Sequence, residues 1–217
     1  MLVLGDAHAA DPEKRVALER VYAAADEDVA IQVGDLQWYD PPVETYFIAG
    51  NNEDFDVIDA LRAGEAPQGD GGGSAVHLLA SDVVEVDGLR VAGLSGNFAP
   101  TQFEKARADL SGDRRRHFVS ADVEAAKELA DVDVFLTHEA PHGLLEKGSY
   151  DVGCKHVDAI LRAVEPALCL VGHHHEAAES RFGQTRVVSL APAWEHYYTL
   201  EPETLALTRY GTPPGSG

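Results

Sequence analysis

The chain has 217 residues, 45% of them hydrophobic and 25% charged, which is enough for a single domain with a full hydrophobic core. We predict that domain over residues 1–210, although length alone does not exclude two domains. No run approaches the roughly 18 apolar residues that a membrane-spanning helix needs, and no charged segment followed by an apolar one opens the chain. These features exclude a membrane partner and predict a cytoplasmic protein, while the oligomeric state stays undetermined.

Acidic residues outnumber basic ones by 37 to 17, which gives a formal net charge of -20. Such a charge destabilises a compact chain by self-repulsion and repels anions at low salt. Both effects weaken when the Debye length falls to roughly 3 Å at 1 M salt. The composition therefore predicts a protein from a salt-loving cytoplasm, such as that of a halophilic archaeon. The alternative is an ordinary acidic bacterial protein.

Helices and strands alternate in the first third of the chain. Asp11 and Pro12 are typical of a helix N-cap and first position, and this helix runs to about Ala25. It joins the first two apolar segments in βαβ fashion. A second helix is predicted over residues 54–63, followed by a flexible Gly-rich loop over residues 64–74.

The rest of the chain continues this alternation. Residues 76–94 have the pattern of a β-meander, with a hairpin turn at Asp87-Gly88. Ser120 is the expected N-cap of a helix that runs to about Ala130. A last helix is predicted over residues 154–163. Three C-terminal strands are predicted at 185–192, 196–200 and 205–210, and a disordered tail at 211–217.

Five short polar clusters follow apolar, strand-like segments. In α/β proteins the carboxyl ends of strands are where loops meet and form sites, and glycine lets the chain turn sharply there. Five such turns are more simply explained by one shared site than by five separate sites. The clusters are Gly5-Asp6-Ala7-His8, Gly34-Asp35, Gly50-Asn51-Asn52-Glu53, Thr137-His138 and Gly172-His173-His174-His175.

The donors in these clusters are carboxylates, imidazoles and amides, without a thiolate. This set suits borderline divalent ions, with manganese expected first and iron, zinc or cobalt as alternatives. Two such ions roughly 3.5 to 4 Å apart polarise a phosphoryl oxygen and lower the pKa of a bridging water. The pattern therefore predicts two divalent transition-metal ions as cofactors and phosphoester hydrolysis as the reaction.

At these residues the chain resembles the calcineurin-like metallophosphoesterase superfamily. The shared pattern is Gly-Asp-x-His, Gly-Asp-x-x-Asp, Gly-Asn-His-Asp/Glu, a lone His and Gly-His-x-His, in that order. The resemblance implies an α/β fold, a four-layer α/β/β/α sandwich of two mixed β-sheets flanked by helices. It also implies a first metal held by Asp6, His8 and His175, a second held by Asn51, His138 and His173, and Asp35 as the bridge between them.

Two positions depart from that pattern. The second aspartate of Gly-Asp-x-x-Asp falls on Trp38, and Asp40 comes two residues later. The histidine of Gly-Asn-His, which the resemblance makes the phosphate contact and proton donor, is Asn52, and an amide cannot deliver a proton at neutral pH. His142 and His174 are the nearest histidines to ligand positions and are the alternative proton donors.

The middle of the chain also resembles the catalytic domain of RNA lariat debranching enzymes. The turn Gly93-Leu94-Ser95-Gly96 matches a Gly-Leu/Ile-Ser-Gly turn that precedes a nucleic-acid-contacting segment in those enzymes. Here the segment carries Arg114, Arg115, Arg116 and His117, which we interpret as substrate-binding, with surface ion pairs as the alternative. Those enzymes usually carry a cysteine at the position of Asp6, a histidine at that of Asn52 and a further C-terminal region.

The combined prediction is a two-metal phosphodiesterase in which a metal-bridging hydroxide attacks phosphorus in line, with Asn52 helping to stabilise the developing charge. The substrate is a phosphoester, with RNA or nucleotides as the candidates. One alternative is a binding scaffold with little or no turnover, because Asn52 replaces the usual catalytic histidine. Another is a phosphomonoesterase.

Overall fold

A computed structural model describes residues 1–65 and 76–215 of the chain. Within these residues, two six-stranded sheets and four α-helices form the fold. The strands are β1 (Leu2–Leu4), β2 (Val29–Gln32), β3 (Glu44–Phe47), β4 (Val76–Leu78), β5 (Val83–Val86), β6 (Leu89–Leu94), β7 (Val134–Thr137), β8 (Glu146–Lys147), β9 (Tyr150–Asp151), β10 (Leu168–Val171), β11 (Ala178–Phe182), β12 (Thr185–Ser189), β13 (His196–Glu201) and β14 (Ala206–Gly211). The α-helices are α1 (Pro12–Ala25), α2 (Phe55–Arg62), α3 (Ser120–Lys127) and α4 (Lys155–Val164), with 3-10 turns at Arg107–Asp109 and Gly112–Arg116.

Both sheets are mixed. The first has the strand order β14-β13-β1-β2-β3-β4 and the second β11-β12-β10-β7-β6-β5. In the first sheet β1, β2, β3 and β4 are parallel, and β13 is antiparallel to both β1 and β14. In the second sheet β12, β10, β7 and β6 are parallel, and β11 and β5 are antiparallel additions at the edges. The carboxyl ends of the parallel strands therefore lie together along one side of each sheet, where a site can form.

The core lies in three layers. Side chains such as Val3, Ile31 and Leu136 pack between the two sheets. The opposite faces of the same strands pack under helices, so Leu2 and Leu4 of β1 lie in a separate cluster with residues of α1. A third cluster joins the second sheet to the side chains of α3 and α4. Because each central strand is buried on both faces, the predicted four-layer sandwich of two mixed sheets flanked by helices is confirmed.

The predicted helix starts are largely confirmed by their caps. The Asp11 carboxylate accepts hydrogen bonds from the backbone N–H groups of Glu13 and Lys14, and Pro12 is the first helical residue. Asp54 caps α2 in the same way. Short polar side chains at these positions satisfy N–H groups that the helix itself leaves without partners.

The predicted N-cap of α3 was wrong by one residue and its predicted end by about three. Val119 is the N-cap and Ser120 the first helical residue, and the helix ends at Lys127 rather than near Ala130. The reason lies in Asp122, whose carboxylate accepts a hydrogen bond of 2.8 Å from the Val119 backbone N–H. A serine hydroxyl is therefore not needed to cap this helix.

The β-meander predicted over residues 76–94 does not form. β4 adds to the first sheet beside β3, whereas β5 and β6 belong to the second sheet. The alternation of apolar residues predicts strands but not their partners, and the chain changes sheets at Ser81, which has a φ of 66°. The hairpin at Asp87-Gly88 is confirmed, since both residues have positive φ as a two-residue turn requires.

The ends of the two predicted irregular segments are hydrogen bonded. Gly64 and Glu65 donate backbone bonds to Leu61 and Ala60 and so close α2, while residues 66–74 of the predicted loop lie outside the described residues. At the other end, β14 includes Gly211, and the Thr212 hydroxyl donates a bond of 2.7 Å to the Ala193 carbonyl. Across the described residues, none of the helices combines the length and apolar character that crossing a membrane takes.

Candidate metal centre

The five polar clusters lie directly after β1, β2, β3, β7 and β10, at the carboxyl ends of the parallel strands of both sheets. Backbone hydrogen bonds tie their loops to one another. The His8 N–H donates to the Asp35 carbonyl at 2.7 Å, and the Gly172 N–H donates to the Thr137 carbonyl at 3.2 Å. The predicted convergence on one site thus follows from the topology, because the two sheets bring their strand ends to the same crevice.

One group of donor atoms consists of Asp6, His8 and His175, whose ligand atoms all lie within 4.8 Å of one another. The His175 Nε2 atom is 2.9 Å from Asp6 Oδ2 and 3.3 Å from His8 Nε2. The structure therefore brings together the three residues predicted for the first metal.

A second group consists of Asp6, Asp35 and His138, again with ligand atoms within 4.8 Å of one another. The His138 Nε2 atom lies 3.1 Å from Asn51 Oδ1 and 3.7 Å from Asp35 Oδ2. The His173 ring centroid is 4.9 Å from that of His138. The residues predicted for the second metal are therefore neighbours, and the geometry adds Asp6 to them.

Asp35 belongs to the second group and also lies close to the first. Its Oδ2 atom is 3.5 Å from His8 Nε2 in the first group and 3.7 Å from His138 Nε2 in the second. The other ring nitrogen of His138, Nδ1, lies 2.8 Å from the Val33 carbonyl. That hydrogen bond fixes the ring so that Nε2 faces the carboxylate, as partners of metal-binding histidines commonly do.

The electrostatics of the centre favour a bound cation. Burial alone would raise the pKa of Asp6, but His138 and the hydrogen bonds from His175 and the His173 N–H outweigh it and lower that pKa. Burial likewise opposes a charge on His138, yet Asp6 and Asp35 raise its pKa. Two buried carboxylates thus create a position that attracts positive charge, and the oxygen and imidazole donors around it fit divalent transition-metal ions.

Several ligand residues have unusual backbone conformations. His8, Asp35, His173 and His175 have φ values of 47°, 56°, 72° and 56°, in the left-handed region that non-glycine residues rarely adopt. The loops approach so closely that a Cβ on Gly50 would lie 2.2 Å from Asp35 Oδ1. A Cβ on Gly172 would lie 2.7 Å from Asp6 Oδ1. Glycine is therefore required at both places for the carboxylates to reach the centre.

Asn52 contacts the predicted bridging residue. Its backbone N–H donates to Asp35 Oδ1 at 2.7 Å and its side-chain Nδ2 donates to Asp35 Oδ2 at 2.8 Å. The amide therefore orients the carboxylate that lies beside histidines of both donor groups.

Glu53 supports the same loop, a role that the sequence analysis missed. Its carboxylate accepts hydrogen bonds from the N–H groups of Leu36 and Gln37 and from the Tyr39 hydroxyl. Burial raises the pKa of Glu53 to about 7. Glu53 thus holds the segment in which Trp38 replaces the family's second aspartate, and the position of an acid directly after Asn51-Asn52 was the available signal.

The two alternative proton donors have different surroundings. His142 forms a pair with Asp158, whose Oδ2 is 2.9 Å from His142 Nδ1, and 46% of the His142 side chain is exposed. His174 has a buried Nε2 without a hydrogen-bond partner among the described residues. Burial and the charge of Lys147 lower the pKa of His174 to about 4. A histidine of that pKa is neutral at pH 7, which argues against His174 as a general acid.

The predicted substrate-binding segment is divided between two roles. Arg115 donates to Asp56 and Asp59 at 2.7 and 2.8 Å, so it forms ion pairs with α2 as the alternative interpretation expected. Arg116 instead lines a cleft of about 260 Å³ next to Asn51 and Asn52. Arg114 is exposed, and His117 Nδ1 lies 3.4 Å from the Asn97 carbonyl. Among these four residues, the structure brings Arg116 to the side of the donor groups.

Trp194 is a further neighbour of the centre that the sequence analysis did not identify. Its ring centroid lies 5.1 Å from that of His175 and 5.6 Å from that of His8. The Lys14 ammonium lies 4.0 Å from the same ring. An aromatic side chain and a cation thus form the rim of the first donor group, and only the fold brings them there from opposite ends of the chain.

Comparison with known proteins agrees with this geometry. A family model described as calcineurin-like phosphoesterase matches residues 1–177. The lariat debranching enzyme of Drosophila melanogaster is 29% identical over 160 residues, which cover 62% of this chain and 29% of that protein. The lariat debranching enzyme of Schizosaccharomyces pombe is 26% identical over 160 residues, covering 62% and 33%. The matched region therefore spans about a third of the length of these curated relatives.

A solved structure also shares the fold. The protein TT1561 of Thermus thermophilus superposes with a TM-score of 0.67 at 18% identity, over 98% of both chains. Together with the family model, which covers most of the chain, these findings confirm the resemblance seen in the motifs. The chain belongs to the calcineurin-like phosphoesterase family.

Proposed function

We propose that this protein is a dinuclear metal-dependent phosphodiesterase that hydrolyses nucleotide-containing diesters. The observation that carries the proposal is the position of Asp35, whose Oδ2 atom lies within 3.7 Å of histidine nitrogens in both donor groups. A carboxylate so placed can contribute to two metal sites at once, and its side chain is only 2% exposed.

The donor groups define which residues would hold each ion. Asp6, His8 and His175 would hold the first, and Asn51, His138 and His173 the second, with Asp35 contributing to both. Divalent ions at such a pair of sites supply Lewis-acid polarisation of a phosphoryl oxygen and lower the pKa of bound water. Burial and the nearby His138 lower the pKa of His173 to about 4, so this imidazole is neutral and able to ligate at pH 7.

The residues around the ions would position the substrate. Arg116 lines the cleft beside Asn51 and Asn52, where its guanidinium can bind phosphate oxygens. Asn52 is engaged with the Asp35 carboxylate and has no proton to give at neutral pH. The leaving oxygen must therefore take its proton from water or from His142, whose ring is oriented by Asp158.

This arrangement favours diesters over monoesters. Loss of a general acid costs roughly 10² to 10⁴ in rate when the leaving group is poor and little when it is good. A diester also carries less charge than a monoester, which matters in a chain of net charge -20. Curated relatives of the chain include lariat debranching enzymes, so branched RNA is a substrate to test once diesterase activity is established.

A binding scaffold with little or no turnover is the second candidate. The observation that favours it is the Asn52 side chain, which is hydrogen bonded to Asp35 where the family motif has its histidine. Stoichiometric metal without turnover of any phosphoester would support the scaffold. Turnover of a diester would exclude it.

The test measures hydrolysis of bis-p-nitrophenyl phosphate and of p-nitrophenyl phosphate in high salt with added Mn²⁺, together with metal content by mass spectrometry. We expect the wild type to prefer the diester, and Asp35→Asn to lose both metal and turnover, because a carboxylate that lies beside histidines of both groups loses its charge. Asp109→Asn, at an exposed position, is the matched control and should behave as wild type. Full metal content and turnover in Asp35→Asn would contradict the assignment.

A further inference from the structure

The cleft of about 260 Å³ that Arg116 lines opens directly beside the second donor group. Two of its lining residues, Asn51 and Asn52, contact that group. Asn51 Oδ1 lies 3.1 Å from His138 Nε2, and Asn52 Nδ2 donates to Asp35 Oδ2 at 2.8 Å. Whatever occupies the cleft is therefore next to a substrate bound at the candidate metal centre.

The rest of the lining lies outside both donor groups. It consists of Gln37, Glu53, Phe55, Asp113 and Arg116. A phosphate held by both metal sites would contact residues of both groups, whereas Asn51 is the one predicted metal ligand among the described residues that line this cleft. The cleft is thus placed to hold a part of the substrate other than the scissile phosphate.

Two hydrogen-bond donors in this cleft have no partner in the protein. The half-buried Arg116 guanidinium forms no ion pair with any described residue, although Asp113 lines the same cleft. The side-chain amide of Gln37, also half-buried, makes no hydrogen bond within the part of the chain that the structure describes. Both groups are therefore available to a ligand.

Backbone hydrogen bonds hold these two donors in position. Gln37 has a φ of 56°, and its N–H donates to Glu53 Oε2 at 3.0 Å. The Arg116 carbonyl accepts from the Asn97 N–H, also at 3.0 Å. Donors that are already positioned lose less conformational freedom when a ligand binds than mobile donors do.

The chemistry of the two donors suits a phosphate group. Guanidinium and side-chain amide groups are common phosphate contacts in nucleic-acid complexes, and a guanidinium can bind two phosphate oxygens at once. The cleft is smaller than the roughly 300–1,000 Å³ of pockets for drug-sized ligands, so it suits a phosphate with part of its sugar. The exposed Asp113 carboxylate opposes an anion there, which leaves Arg116 as the group that attracts it.

We propose that this cleft binds the phosphate next to the scissile one, with Arg116 paired with its oxygens and the Gln37 side-chain amide donating to it. The inference rests on the proposed phosphodiesterase function and specifies its substrate class. The preferred substrates are nucleotides and oligonucleotides that carry a second phosphate one nucleoside away from the reacting one. Arg116 and Gln37 are then specificity-determining residues rather than groups that act on the reacting phosphorus.

The experiment compares two diesters that differ by one phosphate. Thymidine 5′-(p-nitrophenyl phosphate) has a free 3′ hydroxyl, and its 3′-phosphorylated form carries the second phosphate. We expect wild-type kcat/KM, measured by p-nitrophenol release, to be roughly 10- to 100-fold higher for the 3′-phosphorylated ester, the range for one charge-assisted hydrogen bond. Without such a subsite the added phosphate should lower kcat/KM, because the net charge of -20 repels it. A wild type without the preference would overturn the inference.

Three variants test which residues produce the preference. Arg116→Gln should remove it, and Gln37→Ala should reduce it less, because a neutral amide contributes less than a guanidinium. Asp113→Asn should increase it by removing the opposing charge. Arg114→Gln is the matched control and should keep the wild-type ratio, since Arg114 is exposed in the same 3-10 turn and does not line the cleft. Equal ratios in Arg116→Gln and Arg114→Gln would overturn the subsite, while turnover of the esters would still support the phosphodiesterase.

If neither ester is hydrolysed, the phosphodiesterase proposal fails and binding decides the inference about the cleft. Isothermal titration calorimetry with Mn²⁺ would then compare thymidine 3′,5′-bisphosphate with thymidine 5′-phosphate. A tighter Kd for the bisphosphate that is lost in Arg116→Gln and kept in Arg114→Gln would support the subsite. Equal Kd values for the two ligands in the wild type, or a preference that Arg116→Gln retains, would overturn it.

Discussion

At the scale of single residues, Asn52 determines what the centre can do. The amide donates to Asp35 Oδ2 at 2.8 Å, so the side chain orients a carboxylate where the family motif places a histidine. Orientation of the bridge is retained, whereas the ability to protonate a leaving group at this position is absent. In the proposed reaction the leaving group must therefore be a good one or take its proton from water or from His142.

Restoring the histidine should change this dependence. We expect Asn52→His to raise the rate of a diester with a poor leaving group, relative to its p-nitrophenyl analogue, by roughly 10²-fold, the lower end of the range for general acids. The measurement is kcat/KM for thymidine 5′-phosphate esters of p-nitrophenol and of phenol. Asn52→Ala, which loses the same bond to Asp35 without gaining an acid, is the control, and an equal ratio in both variants would contradict this role.

At the scale of elements, the turn Gly93-Leu94-Ser95-Gly96 joins the third polar cluster to the arginine segment. The Ser95 hydroxyl donates to the Leu79 carbonyl at 2.7 Å and accepts from the Ala49 N–H at 2.9 Å. The Gly96 N–H donates to the Ala49 carbonyl, and the next residue, Asn97, donates to the Arg116 carbonyl. This turn therefore sets the position of Arg116 relative to Asn51 and Asn52.

Ser95→Ala should consequently destabilise the fold. The change leaves a buried N–H and a buried carbonyl without their partner, which costs roughly 1–3 kcal/mol of unfolding free energy. Urea denaturation followed by circular dichroism would measure it. Ser111→Ala, at an exposed serine whose side chain makes no cap hydrogen bond, should shift the midpoint little. Equal midpoints for the two variants would contradict the role of the Ser95 bonds.

The elements also show where sequence patterns are informative. The starts of α1 and α2 were predictable because Asp11 and Asp54 act on N–H groups within three residues. The meeting of five polar clusters was predictable because each follows a strand of parallel sheet. The pairing of β4 with β3 in the first sheet was not predictable, since strand pairing depends on residues far away in sequence. The β8–β9 hairpin, with strands of two residues, is too short for a periodicity to indicate it.

Within the site, local motifs predicted the donors but not their supports. Glu53 and Trp194 act through contacts that exist only after folding. Glu53 binds a loop 16 residues away in sequence, and Trp194 contacts histidines from both ends of the chain. Arg115 and Arg116 are adjacent in sequence, yet one pairs with α2 and the other lines the cleft. No spacing rule separates them, because the 3-10 turn at Gly112–Arg116 decides where each side chain points.

At the scale of the whole molecule, the distribution of charge is uneven. The chain carries a net charge of -20, yet two cations lie beside the candidate metal centre: Lys14 of α1, and Arg116. These two cations offset part of the negative field where an anionic substrate would arrive. We propose that the remaining acidic surface is an adaptation to a saline cytoplasm.

Salt should therefore stabilise the protein. Between 0.1 and 1 M KCl the Debye length falls from about 10 to about 3 Å, which screens the repulsion among surface carboxylates. We expect Tm to rise by at least about 5 °C over this range, since 1 kcal/mol corresponds to roughly 2–4 °C in a chain of this size. Differential scanning fluorimetry measures Tm. Sucrose at equal osmolality is the control, because it is excluded from the protein surface but does not screen charge. An unchanged Tm in KCl would contradict salt adaptation.

The left-handed backbone at His8, Asp35, His173 and His175 has a consequence for how such proteins diverge. Each of these conformations costs an L-residue about 1–2 kcal/mol relative to glycine, so selection for the reaction must maintain side chains that the fold alone disfavours. A descendant that loses its reaction and keeps only its shape would gain stability by mutating these positions to glycine. Among related sequences, glycine at several of these four positions should therefore mark inactive lineages before any change in the core does.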